Sequence, residues 1–210
     1  MTAAARAPFW LYKWAVGLGA AGLQSAIYFG IGRMSQPRST TLLATELDAA
    51  IPFLPWTVWC YLPFYAGIFI LTIAGLRTRR LFDRALVGVL AVMLVAATGH
   101  LLVAAEYPRP PVRSPFPDLT YAFLGWVQTV DPPGNVFPSL HVAHSTALSL
   151  VLRHERPRLG ALTMVMAALL ALSTLTTKQH FLADVAAGLI MGVGTSLAVL
   201  RGLAPPPHAA

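Results

Sequence analysis

The sequence predicts an all-α, polytopic membrane protein: six transmembrane helices packed in one bundle, with both termini in the cytoplasm. Three observations carry this. Of 210 residues, 56% are hydrophobic and only 11% charged, with a mean hydropathy of +0.64, which is too little charge to keep a soluble domain dispersed. The apolar residues form continuous runs, not the alternating pattern of a β-barrel. The basic residues gather at the ends of those runs.

Six runs are long enough to reach across hydrocarbon about 30 Å thick at about 1.5 Å per helical residue. The first, 9–31, follows Arg6 as a secretory leader would. Its length, its internal Lys13 and the lack of a convincing small-residue cleavage site favour a first membrane helix. An outer loop, 32–52, follows, in which 40–51 predicts a short interfacial helix with Leu42, Leu43 and Leu47 on one side and Glu46 and Asp48 solvated. The second run, 53–76, contains the lone Cys60, read as a packed thiol. The third is 85–105, and a long segment, 106–136, separates it from the fourth, 137–152, whose first turns reach the interface. Pro157 breaks the chain before the fifth run, 159–177, and Pro205, Pro206 and Pro207 end the sixth, 180–201. Residues 1–204 are thus expected to form a single membrane domain, and 205–210 a disordered tail. Trp10, Trp14, Trp56, Trp59 and Trp126 fall near run ends, as in an aromatic belt.

The net charge of +7 and pI near 10.2 reflect topology, not nucleic-acid binding. With the N-terminus inside, Arg6, Lys13, Arg77, Arg79, Arg80, Arg84, Arg153, Arg156, Arg158 and Arg201 are cytoplasmic, and Arg33, Arg38, Arg109, Arg113 and Lys178 are outside. That is ten against five, in the direction of the positive-inside rule. Only Asp83 and Glu155 among the acidic residues are inside, leaving +8 within and −1 without. Segment 106–136 and the turn at 178–180 then both face away from the cytoplasm.

Two stretches at that outer face carry chemistry, because ionisable groups beside hydrocarbon are costly and by default functional. His180 and Asp184 are four apart; if the sixth helix begins by His180 they share a face. The carboxylate then fixes the imidazole tautomer and leaves the other nitrogen free as a nucleophile. A purely structural His–Asp pair fits the spacing equally well. Gly188 and Gly192 continue that stripe and let another helix approach, within the chain or between chains. Ahead of the fourth helix, Ser139 follows Pro138, and the free N–H groups of the helix start form an anion site. The Ser139 hydroxyl is a phosphate donor there or simply a cap. His141, on the first turn, is placed as a general acid or base, with His144 a turn deeper as a packed neighbour. Arg109, between Pro108 and Pro110, is either a phosphate clamp or an interfacial anchor. Lys178 either touches phosphate or snorkels to the surface. Two cations, a hydroxyl and two histidines suit phosphoryl transfer through a phosphohistidine. Zinc held by His141, His144, His180 and Asp184, or a proton-relay transporter, are the competing readings. No metal and no cofactor is expected.

Phe137-Pro138-Ser139-Leu140-His141 and Thr177-Lys178-Gln179-His180-Phe181-Leu182-Ala183-Asp184 resemble the second and third signature motifs of the type 2 phosphatidic acid phosphatase superfamily. Tyr107-Pro108-Arg109-Pro110 resembles the end of its first motif. Ile51-Pro52-Phe53-Leu54-Pro55-Trp56 and the six-run layout resemble the branch related to inositol phosphorylceramide synthases. The resemblance implies His180 as nucleophile, Asp184 as its orienting partner, His141 as general acid, and Arg109 and Ser139 as phosphate binders. It implies a lipid phosphate substrate, in a bacterial-type inner or plasma membrane, cleaved at the extracytoplasmic face by a lipid phosphatase or a phosphotransferase. The sequence departs from the pattern at Leu102, Thr174 and Leu140, where the family commonly has lysine, arginine and glycine. Lys178 and Arg113 are the candidates to replace the two lost cations. Water or a lipid hydroxyl can be the acceptor. No particular oligomer is predicted.

Overall fold

The computed structural model describes residues 8–35, 43–103, 105–113, 118–131 and 133–202. Arg6, Arg38 and the tail 205–210 lie outside the described residues. Everything regular within them is helical: α1 (Phe9–Ser35), α2 (Glu46–Ala50), a 3-10 helix (Pro55–Cys60), α3 (Leu62–Gly75), α4 (Arg79–Leu102), α5 (Leu119–Val130), α6 (Leu140–Glu155), α7 (Pro157–Thr176) and α8 (Leu182–Arg201).

Among the described residues five stretches are long and apolar enough to cross a membrane: α1, the 3-10 helix with α3, α4, α7 and α8. The chain is an integral membrane protein by that measure. The expected sixth span, α6, has 16 residues, about 24 Å of helix. It starts three residues later than its apolar run, because Ser139 accepts the Val142 N–H as N-cap. Its position explains its composition. It packs against α3, α4, α7 and α8, and His141, His144, Ser145 and Ser149 along it are all buried. A helix wrapped by other helices need not be apolar all round.

Two further departures from the runs shape the site. The second run is not one helix. Pro63 cannot donate to the preceding turn and its ring crowds the carbonyl four residues back, so the chain breaks at Tyr61 and restarts as α3. The long outer segment contains α5, which the apolar runs did not reveal. Asp118 caps it, accepting the N–H groups of Thr120 (2.6 Å) and Tyr121 (3.3 Å), and it packs on the 3-10 helix.

The predicted interfacial helix is reduced to α2. Its Asp48 is buried, not solvated. It accepts the Thr45 N–H (2.8 Å), the Thr45 hydroxyl (2.6 Å) and the Leu182 N–H at the start of α8 (2.8 Å). A buried carboxylate needs such partners.

The helices α6 and α8 pack closely along two glycines of α8. A Cβ at Gly188 would fall 2.6 Å from the Ser139 carbonyl oxygen, and one at Gly192 2.6 Å from the Ala143 carbonyl oxygen. The glycine stripe therefore packs within the chain, and it presses the two motif-bearing helix starts together.

Candidate active site

One end of the bundle gathers the N-termini of α6 and α8, the C-termini of α4, α5 and α7, and the break at Tyr61. His180 does not belong to α8, as the spacing suggested. It precedes the N-cap residue Phe181, and its N–H donates to the Thr174 carbonyl at the end of α7 (3.2 Å). Asp184 reaches back to accept the Phe181 N–H (2.7 Å). Its Oδ2 also lies 3.5 Å from His180 Nδ1, in ion-pair range but without the alignment of a hydrogen bond. The two residues meet through a helix-start turn, not along a helix face. Ser139 N–H donates to the Asp184 carbonyl (3.1 Å), which locks the two motifs together directly.

His141 sits on the first turn of α6, and its ring centre is 6.3 Å from that of His180. Both are buried. Aromatic rings surround His141: Tyr28 at 5.9 Å, Tyr61 at 4.9 Å and Tyr65 at 4.6 Å between centroids. The Tyr61 hydroxyl is 3.2 Å from His141 Nδ1 and 3.5 Å from Nε2. His144 has both ring nitrogens engaged, with the Tyr65 hydroxyl (2.9 Å) and the Val89 carbonyl (3.1 Å). It ties α3, α4 and α6 together and has no free nitrogen for a metal. Among the described residues no three His, Cys, Asp or Glu side chains are grouped to hold an ion.

The three expected phosphate-binding residues each have protein partners. Ser139 is fully buried and serves as the α6 cap. Arg109 donates through Nη1 to the main-chain oxygen of Asp131 (2.6 Å), and its Nη2 lies 3.4 Å from the Asp131 carboxylate. The Lys178 ammonium donates to the carbonyls of Asp48 (3.1 Å) and Ile51 (2.6 Å). Lys178 also has a φ of 58°, a left-handed conformation that costs a lysine free energy and ends α7. Arg113 has no partner that joins it to the histidines among the described residues.

Sequence reasoning missed three residues here. Asp131, at the C-cap of α5, accepts hydrogen bonds from the hydroxyls of Tyr28 and Tyr61 as well as its contact with Arg109. Tyr61 bridges it to His141. His100, fully buried on α4, donates Nε2–H to the Pro138 carbonyl (3.1 Å) and so braces the turn before Ser139. A histidine inside an apolar run was itself a signal. Asp131 and Tyr61 gave none, since the tyrosines that meet Asp131 are 70 and 103 positions away.

A cavity of about 350 Å³ lies between α1 and α3. Its walls are almost wholly apolar. Leu18 and Ile70, among its lining residues, are more than half exposed on the surface of the spans, and His141 and Asp131 also line it. A second cavity, about 610 Å³, is lined by Arg33, Gln128 and Thr129 and also reaches Asp131.

A family profile described as the PAP2 superfamily matches residues 84–205. The chain is also 32% identical over 106 residues to an uncharacterized protein of Methanocaldococcus jannaschii, an alignment covering 48% of this chain and 43% of that one. The chain thus spans less than half the length of that relative. No solved structure matches it.

Proposed function

The chain belongs to the PAP2 superfamily, and on that premise we propose that it is a membrane phosphatase acting on the phosphate ester of a lipid, through a phosphohistidine. Family membership supports phosphatase-type chemistry. The observation that carries the lipid is the cavity between α1 and α3, which leads from the hydrocarbon-facing surface to His141. An apolar chain lying in it presents its polar end to the imidazole pair.

In the proposed reaction His180 Nε2 attacks phosphorus, while Asp184 lies on the Nδ1 side. The P–N bond forms as the P–O bond to the lipid breaks, and the leaving oxygen takes a proton from His141. His141 then removes a proton from water, whose oxygen displaces His180 from phosphorus and releases inorganic phosphate. Both steps need the two imidazoles on one phosphoryl group, and a 6.3 Å ring separation suits that. Arg109 and the N–H groups at the start of α6 are the proposed phosphate partners. Lys178 instead serves the turn that presents His180.

The site is proposed to face away from the cytoplasm. Arg77, Arg84 and Arg156 crowd the opposite end of the bundle, two of them binding helix-end carbonyls there.

A second reading is favoured by the state of the cations. Arg109 is neutralised by Asp131, and two Lys178 hydrogen bonds go to carbonyls. A site with little free positive charge suits a singly charged phosphodiester donor, from which the headgroup phosphate passes to a lipid hydroxyl. Phosphate release from phosphatidic acid, a prenyl phosphate and phosphatidylglycerol phosphate, beside phosphatidylinositol with ceramide, separates the two. Release from monoesters in water supports the phosphatase. Consumption of the diester only when the alcohol is supplied supports the transferase. No turnover of any donor refutes both.

A further inference from the structure

The strongest unassigned arrangement is the buried chain of contacts that ends on His141. Asp131 closes α5 and is the meeting point of three other elements: Tyr28 from α1, Tyr61 from the break before α3, and Arg109 from the segment after α4. Each of these side chains is buried or nearly so. A carboxylate accepts and cannot donate, so both tyrosine protons point at Asp131. The Tyr61 oxygen, having given its proton to Asp131, keeps lone pairs and can only accept from its other neighbour. That neighbour is His141, nearer through Nδ1, at 3.2 Å, than through Nε2, at 3.5 Å. The order is therefore His141 N–H to Tyr61 oxygen, then Tyr61 O–H to Asp131, with Arg109 compensating the far side of the carboxylate.

We propose that Asp131, acting through Tyr61, is the positioning residue for His141, holding one proton on the imidazole so that its other nitrogen faces the leaving oxygen. The inference rests on the reading of His141 as leaving-group acid. When His141 carries two protons it is a buried cation, and a carboxylate one hydroxyl away offsets that charge. Such charge-linked networks gain strength where water is excluded. Tyr28 also binds the carboxylate but meets the His141 ring only edge-on. It holds Asp131 in place without joining the relay, which gives the proposal an internal control.

The test is a leaving-group comparison on the full chain in nanodiscs. Phenyl and 4-nitrophenyl esters are supplied as phosphate monoesters and as methyl diesters, each with and without a lipid alcohol, so that either kind of donor is covered. Phenolate needs a proton as it leaves, and 4-nitrophenolate scarcely does. General acid catalysis is worth roughly 100-fold or more. Tyr61→Phe, which keeps the ring, and Asp131→Asn should each lower kcat/KM on the phenyl ester by about 100-fold and on the 4-nitrophenyl ester by no more than about threefold. Tyr28→Phe should lower the two in parallel. Parallel losses in Tyr61→Phe, or none, would overturn the relay while leaving the phosphoryl chemistry intact. A wild-type chain that cleaves none of the four esters would instead remove the premise that His141 is a leaving-group acid.

Discussion

His141 and His180 face each other across 6.3 Å, one on the first turn of α6 and the other just ahead of α8. Their roles in the proposed reaction differ, so their removal should differ. His180→Ala should lower turnover at least about 1,000-fold and abolish labelling of the protein by radioactive phosphate. His141→Ala should still form the labelled protein from an activated ester and then release phosphate slowly, so that label accumulates. A gel quenched in SDS and run at alkaline pH, where the P–N bond survives, reads both. Labelling of His180→Ala at the wild-type level would place the nucleophile elsewhere.

The cavity between α1 and α3 gives a specificity prediction. Ala66 lines it midway between Leu62 and Ile70. Ala66→Trp fills the channel without touching the imidazoles. It should raise KM for a long-chain lipid phosphate by about 10-fold or more, the worth of a few buried methylenes, and leave a short-chain water-soluble ester nearly unaffected. Equal effects on both substrates would mean that the chain lies elsewhere.

The glycines of α8 predict a stability contrast. Gly188→Ala and Gly192→Ala drive a methyl group into the α6 backbone, and each should cost about 1–3 kcal/mol. Gly194 has open space at its Cβ position, so Gly194→Ala should be neutral or slightly stabilising. Unfolding of the purified protein in graded SDS ranks the three. Gly188→Ala should also lose activity, since the methyl would press on the Ser139 carbonyl.

Asp48 predicts a response to acid. Burial alone would raise its carboxyl, but hydrogen bonds from Thr45 and the Leu182 N–H, with the Lys178 ammonium nearby, bring it below the ordinary carboxylate value of 3.8. A group depressed on folding contributes stability above its unfolded value and loses it as pH falls through the folded one. The bundle should therefore lose stability as pH drops below about 4. Asp48→Asn should be less stable than wild type at neutral pH and show a smaller further loss in that acid window. Melting curves between pH 7 and pH 3 check this.

How much of this was legible depended on the range of each interaction. The motifs around His141, His180 and Asp184 are local, and so are the runs that became α1, α4, α7 and α8. Boundaries set by one residue's chemistry were harder. Pro63 split the second run, and Ser139 delayed the fourth. α5 escaped because it is short and lies in a loop-like stretch. Asp48 was misjudged, and the carbonyl partners of Lys178 went unforeseen, for one reason: the turns at 45–51 and 178–182 that hold them are some 130 positions apart. Asp131 was hidden in the same way, sitting among turn-forming residues with nothing nearby to mark it as a hub.

The burial of α6 bears on how the protein is made. This helix exposes almost nothing to lipid: α3 and α4 cover one side, where they bind the His144 imidazole, and α7 and α8, synthesised after it, cover the rest. A nascent chain that has emerged only as far as α6 lacks the part of that cover that α7 and α8 supply. The proposed catalytic end can therefore close only as the last helix docks, and a ribosome stalled before α8 would leave one side of a polar helix open to membrane quality-control proteases.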